Sequence, residues 1–340
     1  MKIGLVLEGG GMRAITTAGV LDYFLDENIE FDNCIGVSAG SCHACSFLSK
    51  QRGRAYDAFV KYMDDKRYCS VHSLLTTGNL FGTDFVYNII PNELLPIDAE
   101  TYSKSKTKFQ ATVTNCITGK AEYLEVKDVK KDIDYIRASS SLPLISTMVE
   151  IDGTPYLDGG IADSIPIEQS IKQGNTKNIV VLTRPRDYQK KKSSIGGMIR
   201  FAYRKYPKFI EASEKRYLNY NKTLSYLWEQ EKKGTVFIIQ PEYDLGIGRL
   251  EKNEPKLKAA YQYGYDLPDG LPPGSPQAEG PRLLHEDGHR HHVLCRRSGP
   301  QIPADEQPEA GWYRLGHHSS HGHQHIQSDC ADQLLQDDSH

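Results

Sequence analysis

The chain opens on the feature that most constrains it: Ile3-Gly4-Leu5-Val6-Leu7, a run without a polar side chain, closed by Glu8 and then Gly9-Gly10-Gly11. A strand with one wet face alternates apolar and polar residues. An unbroken short run ended by glycines reads instead as a strand buried on both faces, as in parallel sheets. The period then changes, with Ala14, Ala18, Leu21 and Leu25 spaced along one helical face. The exchange recurs: Phe31–Val37 predicts a second strand, and a helix starts from about Ala39. Phe109–Cys116 and Ala121–Val126 predict an antiparallel pair around Thr118-Gly119-Lys120, and Met148–Ile151 with Pro155–Leu157 another around Asp152-Gly153. Asn178–Thr183 and Val236–Gln240 follow as late strands with helical stretches before and between them. This order predicts an α/β fold: a mostly parallel central sheet with helices on both faces, in three layers.

Composition divides the chain in two. Of 12 histidines only His43 and His72 precede residue 267, whereas every lysine does. Residues 1–266 carry 36 basic and 33 acidic side chains, a balance of +3; the remainder carries 5 and 11, a balance of −6. We therefore expect a body, 1–266, and a Pro-, Gly- and His-rich tail, 267–340, with no sustained periodicity and no packed structure. The break falls inside a helical pattern (Leu257, Ala260, Tyr261, Tyr265), as a frame-shifted reading of a coding helix would. His289–His292 and His317–His325 suit incidental metal affinity rather than a built site.

Several functional classes fall away. A net charge of −3 does not suit a nucleic-acid binder. The first apolar run is too short for a secretory leader, and no stretch approaches the ~18 apolar residues of a membrane span. Seven scattered cysteines argue for a reduced, cytoplasmic protein, and Cys42-x-x-Cys45 has no second pair to complete a zinc site. No metal and no cofactor is expected.

Three glycine-rich motifs sit at predicted strand ends, where open α/β sheets gather their ligands. In the first, Gly9, Gly10 and Gly11 precede Met12-Arg13, and their amides suit either a dinucleotide phosphate or the oxyanion of an acyl-transfer intermediate. In the second, Gly36-Val37-Ser38-Ala39-Gly40 places a serine on a strand-to-helix turn. A nucleophile projecting from such a strained turn needs small neighbours where the backbone crowds in. The third, Asp158-Gly159-Gly160, leaves a carboxylate with no bulky neighbour after it. A tight turn alone would also use these glycines. The dinucleotide reading lacks its second anchor, because the second strand ends in Gly-Val-Ser rather than in an acidic residue.

A serine hydrolase usually takes its base from histidine. His43 lies five residues past Ser38, which turns it away on the helix, and His72 stands in a polar connecting stretch. Elimination leaves Asp158 as the base of a two-residue mechanism.

In order and spacing, E-G-G-G-M-R at 8–13, G-V-S-A-G at 36–40 and D-G-G at 158–160 resemble the patatin-like phospholipase family. Arg137–Pro143, Ile161–Pro166 and Val180–Pro185 look like its bacterial branch. The resemblance runs over about residues 1–266. It implies a serine acyl hydrolase with Ser38 as nucleophile, Asp158 as base and the amides of Gly9, Gly10 and Gly11 as oxyanion hole. Arg13, Gly36, Gly40, Gly159 and Gly160 would support them. The substrate it implies is an acyl lipid or other ester. Two positions depart from the family's pattern, Glu8 where Asp is common and Ala14 where Gly is. Acyl transfer to another alcohol, or non-catalytic lipid or nucleotide binding, would use the same scaffold. Residues 201–228 mix aromatic and basic side chains after Lys190-Lys191-Lys192, which suits transient contact with the inner membrane face. Phe209, Ser213, Tyr217, Tyr220, Leu224 and Leu227 are also spaced as the buried face of a helix, the reading we favour.

Overall fold

The computed structural model describes residues 1–270. Leu267–Gly270, expected to open the unpacked tail, instead form a short helical turn with Leu267 against the core. The tail's metal affinity, its origin and its disorder beyond residue 270 lie outside the described residues. Eight strands form one sheet: β1 (Ile3–Leu7), β2 (Asn33–Val37), β3 (Lys108–Asn115), β4 (Ala121–Glu125), β5 (Val149–Ile151), β6 (Thr154–Asp158), β7 (Lys177–Val181) and β8 (Val236–Ile239). Their order is β5-β6-β3-β2-β1-β7-β8, with β4 paired to β3. The run from β3 through β2, β1 and β7 to β8 is parallel, whereas β4, β5 and β6 make the two antiparallel pairs that the turn residues predict.

The helices are α1 (Ile15–Asp26), α2 (Ala39–Leu48), α3 (Arg54–Val60), α4 (Val71–Thr77), α5 (Ala99–Lys104), α6 (Ile133–Ser139), α7 (Ile167–Lys172), α8 (Gly196–Ala202), α9 (Pro207–Lys232) and α10 (Glu254–Asp266). Successive strand side chains point to opposite faces, and the sheet therefore has two cores. Leu5, Leu7, Ile179 and Val181 pack with Leu21 and Phe24 of α1 and Phe47 of α2. Val6, Val180 and Leu182 pack with Ile167 of α7 and with Tyr220, Leu224 and Leu227 of α9. This is the three-layer α/β architecture that the unbroken apolar runs predict.

Register fixes the site. β3 offers two edges, and β4 covers one of them along residues 110–114. On the other edge β2 pairs as far as Val37 opposite Thr112, and β6 takes over with Asp158 opposite Val113. β2 and β6 thus run toward each other along one edge of β3, and their carboxyl ends meet.

The far end of the body is closed by α10 lying across α1. A Cβ on Gly264 would overlap the Thr16 carbonyl, and one on Gly19 the Tyr261 carbonyl, so the two helices approach backbone to backbone. Asp22 and Asp26 of α1 accept hydrogen bonds from Tyr261 and Tyr265. Gly264→Ala should therefore cost about 1–3 kcal/mol or more through overpacking. Urea denaturation would show this as a lowered midpoint, and an unchanged midpoint would contradict the helix contact.

Candidate active site

The turn after β2 is built around one strained residue. Ser38 has φ +54° and ψ −124° and precedes α2. A non-glycine residue there costs about 1–3 kcal/mol, and the cost is met only where surrounding structure fixes the backbone. That fixing is visible. Ser38 N–H donates to Ser139 Oγ at 2.9 Å, and Ser139 Oγ lies 3.0 Å from Ser41 Oγ. A Cβ on Gly36 would lie 2.7 Å from Ser41 N, and one on Gly40 2.6 Å from the Leu7 carbonyl, so any larger residue would push the turn open. Ser139 stood within the sequence phrase Arg137–Pro143, but nothing in its spacing marked it as the brace of the turn.

Asp158, at the end of β6, is 2% exposed. Its Oδ1 accepts the Gly160 N–H at 2.7 Å, whereas Oδ2 has no partner meeting hydrogen-bond geometry among the described residues. Burial pushes the carboxyl above the usual carboxylate range, opposed by the Arg216 guanidinium, the nearby Ser38 hydroxyl, the Gly160 amide and Arg249. Arg216, from α9, donates its Nε to the Gly160 carbonyl at 2.6 Å. Gly159 passes so close to the Thr112 carbonyl that a Cβ would overlap it. The structure therefore gathers Ser38, Asp158, Gly159 and Gly160 in one place, and adds Arg216 and Arg249, which no local motif announced.

The first glycine motif reaches the same place from β1. A Cβ on Gly9 would lie 2.8 Å from Ser38 Cβ, and Gly11 has φ +59°. Glu8 N–H donates to Val181 and Met12 N–H to Arg249. Among the described residues the amides of Gly9, Gly10 and Gly11 between them donate to no protein acceptor. Glu8 itself is structural: its Oε2 accepts the Thr183 N–H at 2.7 Å and its Oε1 the Tyr220 hydroxyl at 2.7 Å. The longer carboxylate spans from β1 to β7 and α9. Arg13 is buried in the short helical turn that follows.

Neither body histidine supplies a base. His43 is fully buried, its ring 4.4 Å from that of Phe59, with neither nitrogen in good hydrogen-bond geometry; burial holds its pKa down to about 3. His72 lies exposed on α4.

Ser38, Asp158 and the three glycines line one cavity. Its lining combines the cations Arg184, Lys190, Arg216 and Arg249 with the apolar Tyr68, Phe81, Ile90, Ile97 and Ile136. Lys190, Arg216 and Arg249 also border a second cleft, beside α8 and α9.

A strained serine at a strand-to-helix turn, facing a buried carboxylate beneath a glycine loop, has a counterpart among known families. Residues 5–171 match the model of the patatin-like phospholipases, and over those residues the chain belongs to that family. Residues 206–267, from α9 to the end of α10, match a domain of unknown function (DUF6363). The uncharacterized protein YjjU of Escherichia coli is 31% identical over 54% of this chain and 52% of its own length. A probable lipid hydrolase, 463L of invertebrate iridescent virus 6, is 23% identical over 51% of this chain and 65% of its own. The lysophospholipase NTE1 of Saccharomyces cerevisiae is 28% identical over 51% of this chain and 10% of its own. Among solved structures, VipD from Legionella pneumophila covers 78% of this chain and 66% of its own, with 12% identity and a TM-score of 0.37. This chain thus spans about half to two thirds of the first two relatives.

The raised Asp158 pKa has a consequence for stability. Above the unfolded carboxyl's pKa of ~3.9 the folded protein must ionise a buried group, and that cost persists as pH rises. Asp158→Asn removes it. The variant should melt a few degrees higher than wild type at pH 7, about 2–4 °C per kcal/mol, and lose the advantage below pH ~4. A lower Tm at pH 7 would contradict the burial penalty.

Proposed function

We propose that this protein hydrolyses fatty acyl esters of lipids through a Ser38–Asp158 dyad and an acyl-enzyme. The observation that carries this is the meeting of the β2 and β6 carboxyl ends on one edge of β3, which sets a strained serine beside a buried carboxylate. Asp158 accepts the Ser38 proton as the oxygen attacks the ester carbonyl. The amides of Gly9, Gly10 and Gly11 hold the oxyanion, each well-placed donor contributing about 3–4 kcal/mol. Collapse expels the alcohol, which takes the proton back from Asp158. Water, deprotonated in turn by Asp158, releases the fatty acid. Burial raises the carboxylate's basicity toward what this task needs. The apolar lining of the cavity suits an acyl chain, and the lipid hydrolase and lysophospholipase relatives support a lipid substrate.

In the same reading residues 1–266 form the acyl hydrolase domain and residues 267–340 an appendage, and the protein works in the cytoplasm at the inner membrane face. No helix among the described residues is long and apolar enough to cross a membrane. Of the face expected on α9, Phe209, Tyr220, Leu224 and Leu227 are buried, and Ser213 and Tyr217 are half-buried. Outward display falls instead to α8, where Phe201 is 76% exposed. Residues 191–210 carry Lys191, Lys192, Arg200, Arg204, Lys205 and Lys208 and no acidic residue, whereas Lys190 is buried in the cavity wall. Each cation near an anionic lipid surface is worth about 1 kcal/mol.

Hydrolysis of a panel of acyl esters and phospholipids should fall by about 10³-fold or more in Ser38→Ala and in Asp158→Asn, with the acyl chain appearing as free acid. Activity retained in either variant would remove the dyad, and acyl chains recovered only on an added alcohol would make the enzyme a transferase. In vesicle co-sedimentation, binding to anionic vesicles should weaken in Phe201→Ser and in the Lys191→Gln/Lys192→Gln pair. Equal sedimentation of all forms would contradict membrane contact through α8.

A further inference from the structure

The cavity wall that α2 and α3 form carries a cation that catalysis does not use. Arg54, the first residue of α3, is 7% exposed. One terminal nitrogen donates to Ser46 Oγ at 2.9 Å, and the other to the Leu95 carbonyl at 2.8 Å. Its Nε is buried and donates to nothing among the described residues. Both acceptors are neutral.

Among the described residues no anion compensates this charge. The ionisable groups that act on it are the thiols of Cys42 and Cys45 and the Tyr62 phenol, and burial holds the guanidinium's pKa below its usual value. Burial likewise pushes both thiols up, so each stays neutral near pH 7. The two carboxylates that line the cavity are otherwise engaged, Glu8 by Thr183 and Tyr220 and Asp158 beside Ser38. Arg184, buried after β7 and lining the same cavity, has Asp244 at 3.2 Å. A buried charge without a counter-ion is rarely kept, because neutral hydrogen bonds do not replace its lost hydration. Around Arg54 the cavity is lined by Cys42, Cys45, Ala55, Ile90 and Ile97, a surface that suits a hydrocarbon chain.

We propose that Arg54 is a receptor for a carboxylate held inside the acyl cavity, so that the ligand there is a fatty acyl compound with an anionic end. Two sources share this chemistry. One is an acyl ester whose chain ends in a second carboxylate, with the ester at Ser38 and the far end at Arg54. The other is free fatty acid, seated with its carboxylate on Arg54 and its chain directed toward Ser38. The proposal rests on the acyl hydrolase reading for what fills the cavity, but its first test needs no turnover.

That test is calorimetric binding to the full-length Ser38→Ala chain of a medium-chain fatty acid and of the alcohol of equal length. The acid should bind about tenfold tighter or more. The preference should vanish when Arg54→Gln is added and survive at least in part with Arg54→Lys, with thermal melts showing each variant folded. Equal affinity for acid and alcohol would overturn the proposal without recourse to any Arg54 variant. A preference that survives in folded Arg54→Gln would also overturn it, and would assign the carboxylate to the cationic region around Arg216 and Arg249. Kinetics on the chain with Ser38 intact then separates the two sources. A tenfold higher kcat/KM for the ω-carboxylated ester, lost in Arg54→Gln, identifies the substrate chain as the source. Competitive inhibition by the fatty acid without that preference identifies the product. Absence of turnover would count against the hydrolase reading alone and leave the binding result standing.

Discussion

Everything about the candidate site depends on how one edge of β3 is shared. β2 and β6 enter it from opposite ends, and register leaves Val37 and Asp158 opposite consecutive residues, Thr112 and Val113. The chain leaving β2 must turn sharply there, because Asp158 and Gly159 already occupy the continuation of the edge. The turn residue is Ser38. Ser38 and Asp158 are thus brought together by backbone pairing rather than by flexible side chains, which in the proposed dyad would limit the reorganisation left for the reaction.

The same arrangement explains where the glycines fall. Gly36, Gly40 and Gly9 stand where three backbone segments converge around Ser38, and Gly159 where the chain leaving β6 meets the Thr112 carbonyl of β3. Their absent side chains allow β1, β2 and β6 to deliver their ends to one small volume. The cost is a strained serine and a buried carboxylate, neither of which a fold selected for stability alone would keep. Arg216 and Arg249 moderate that cost by favouring the ionised Asp158, the form that the proposed base requires.

Much of this was legible in the sequence for physical reasons. Unbroken apolar runs such as Leu5-Val6-Leu7 announce strands buried twice, and glycine clusters announce tight turns, because both signals are local. The scarcity of histidine in the body is equally readable, and it leaves Asp158 as the candidate base. The helical spacing along α9 foretold its buried face. What was not legible depends on long-range packing. Ser139 braces the Ser38 turn from a hundred residues away, and Arg216 reaches Gly160 from α9. Arg54 reads as one more surface cation until the backbone at Leu95 and the wall of α2 enclose it. Phe201 looked like one aromatic among many, and only the packing of α8 shows that it alone of the large apolar side chains there points fully outward.

The central claim is that Ser38 is an activated nucleophile and Asp158 its base. A fluorophosphonate, which reacts with activated serines, tests this directly when the adduct is located by peptide mass spectrometry. The account predicts one adduct, on the peptide carrying Ser38, forming faster as pH rises through the Asp158 pKa and strongly slowed in Asp158→Asn. No adduct on folded protein, or an adduct on another serine with Ser38 unmodified, would contradict it.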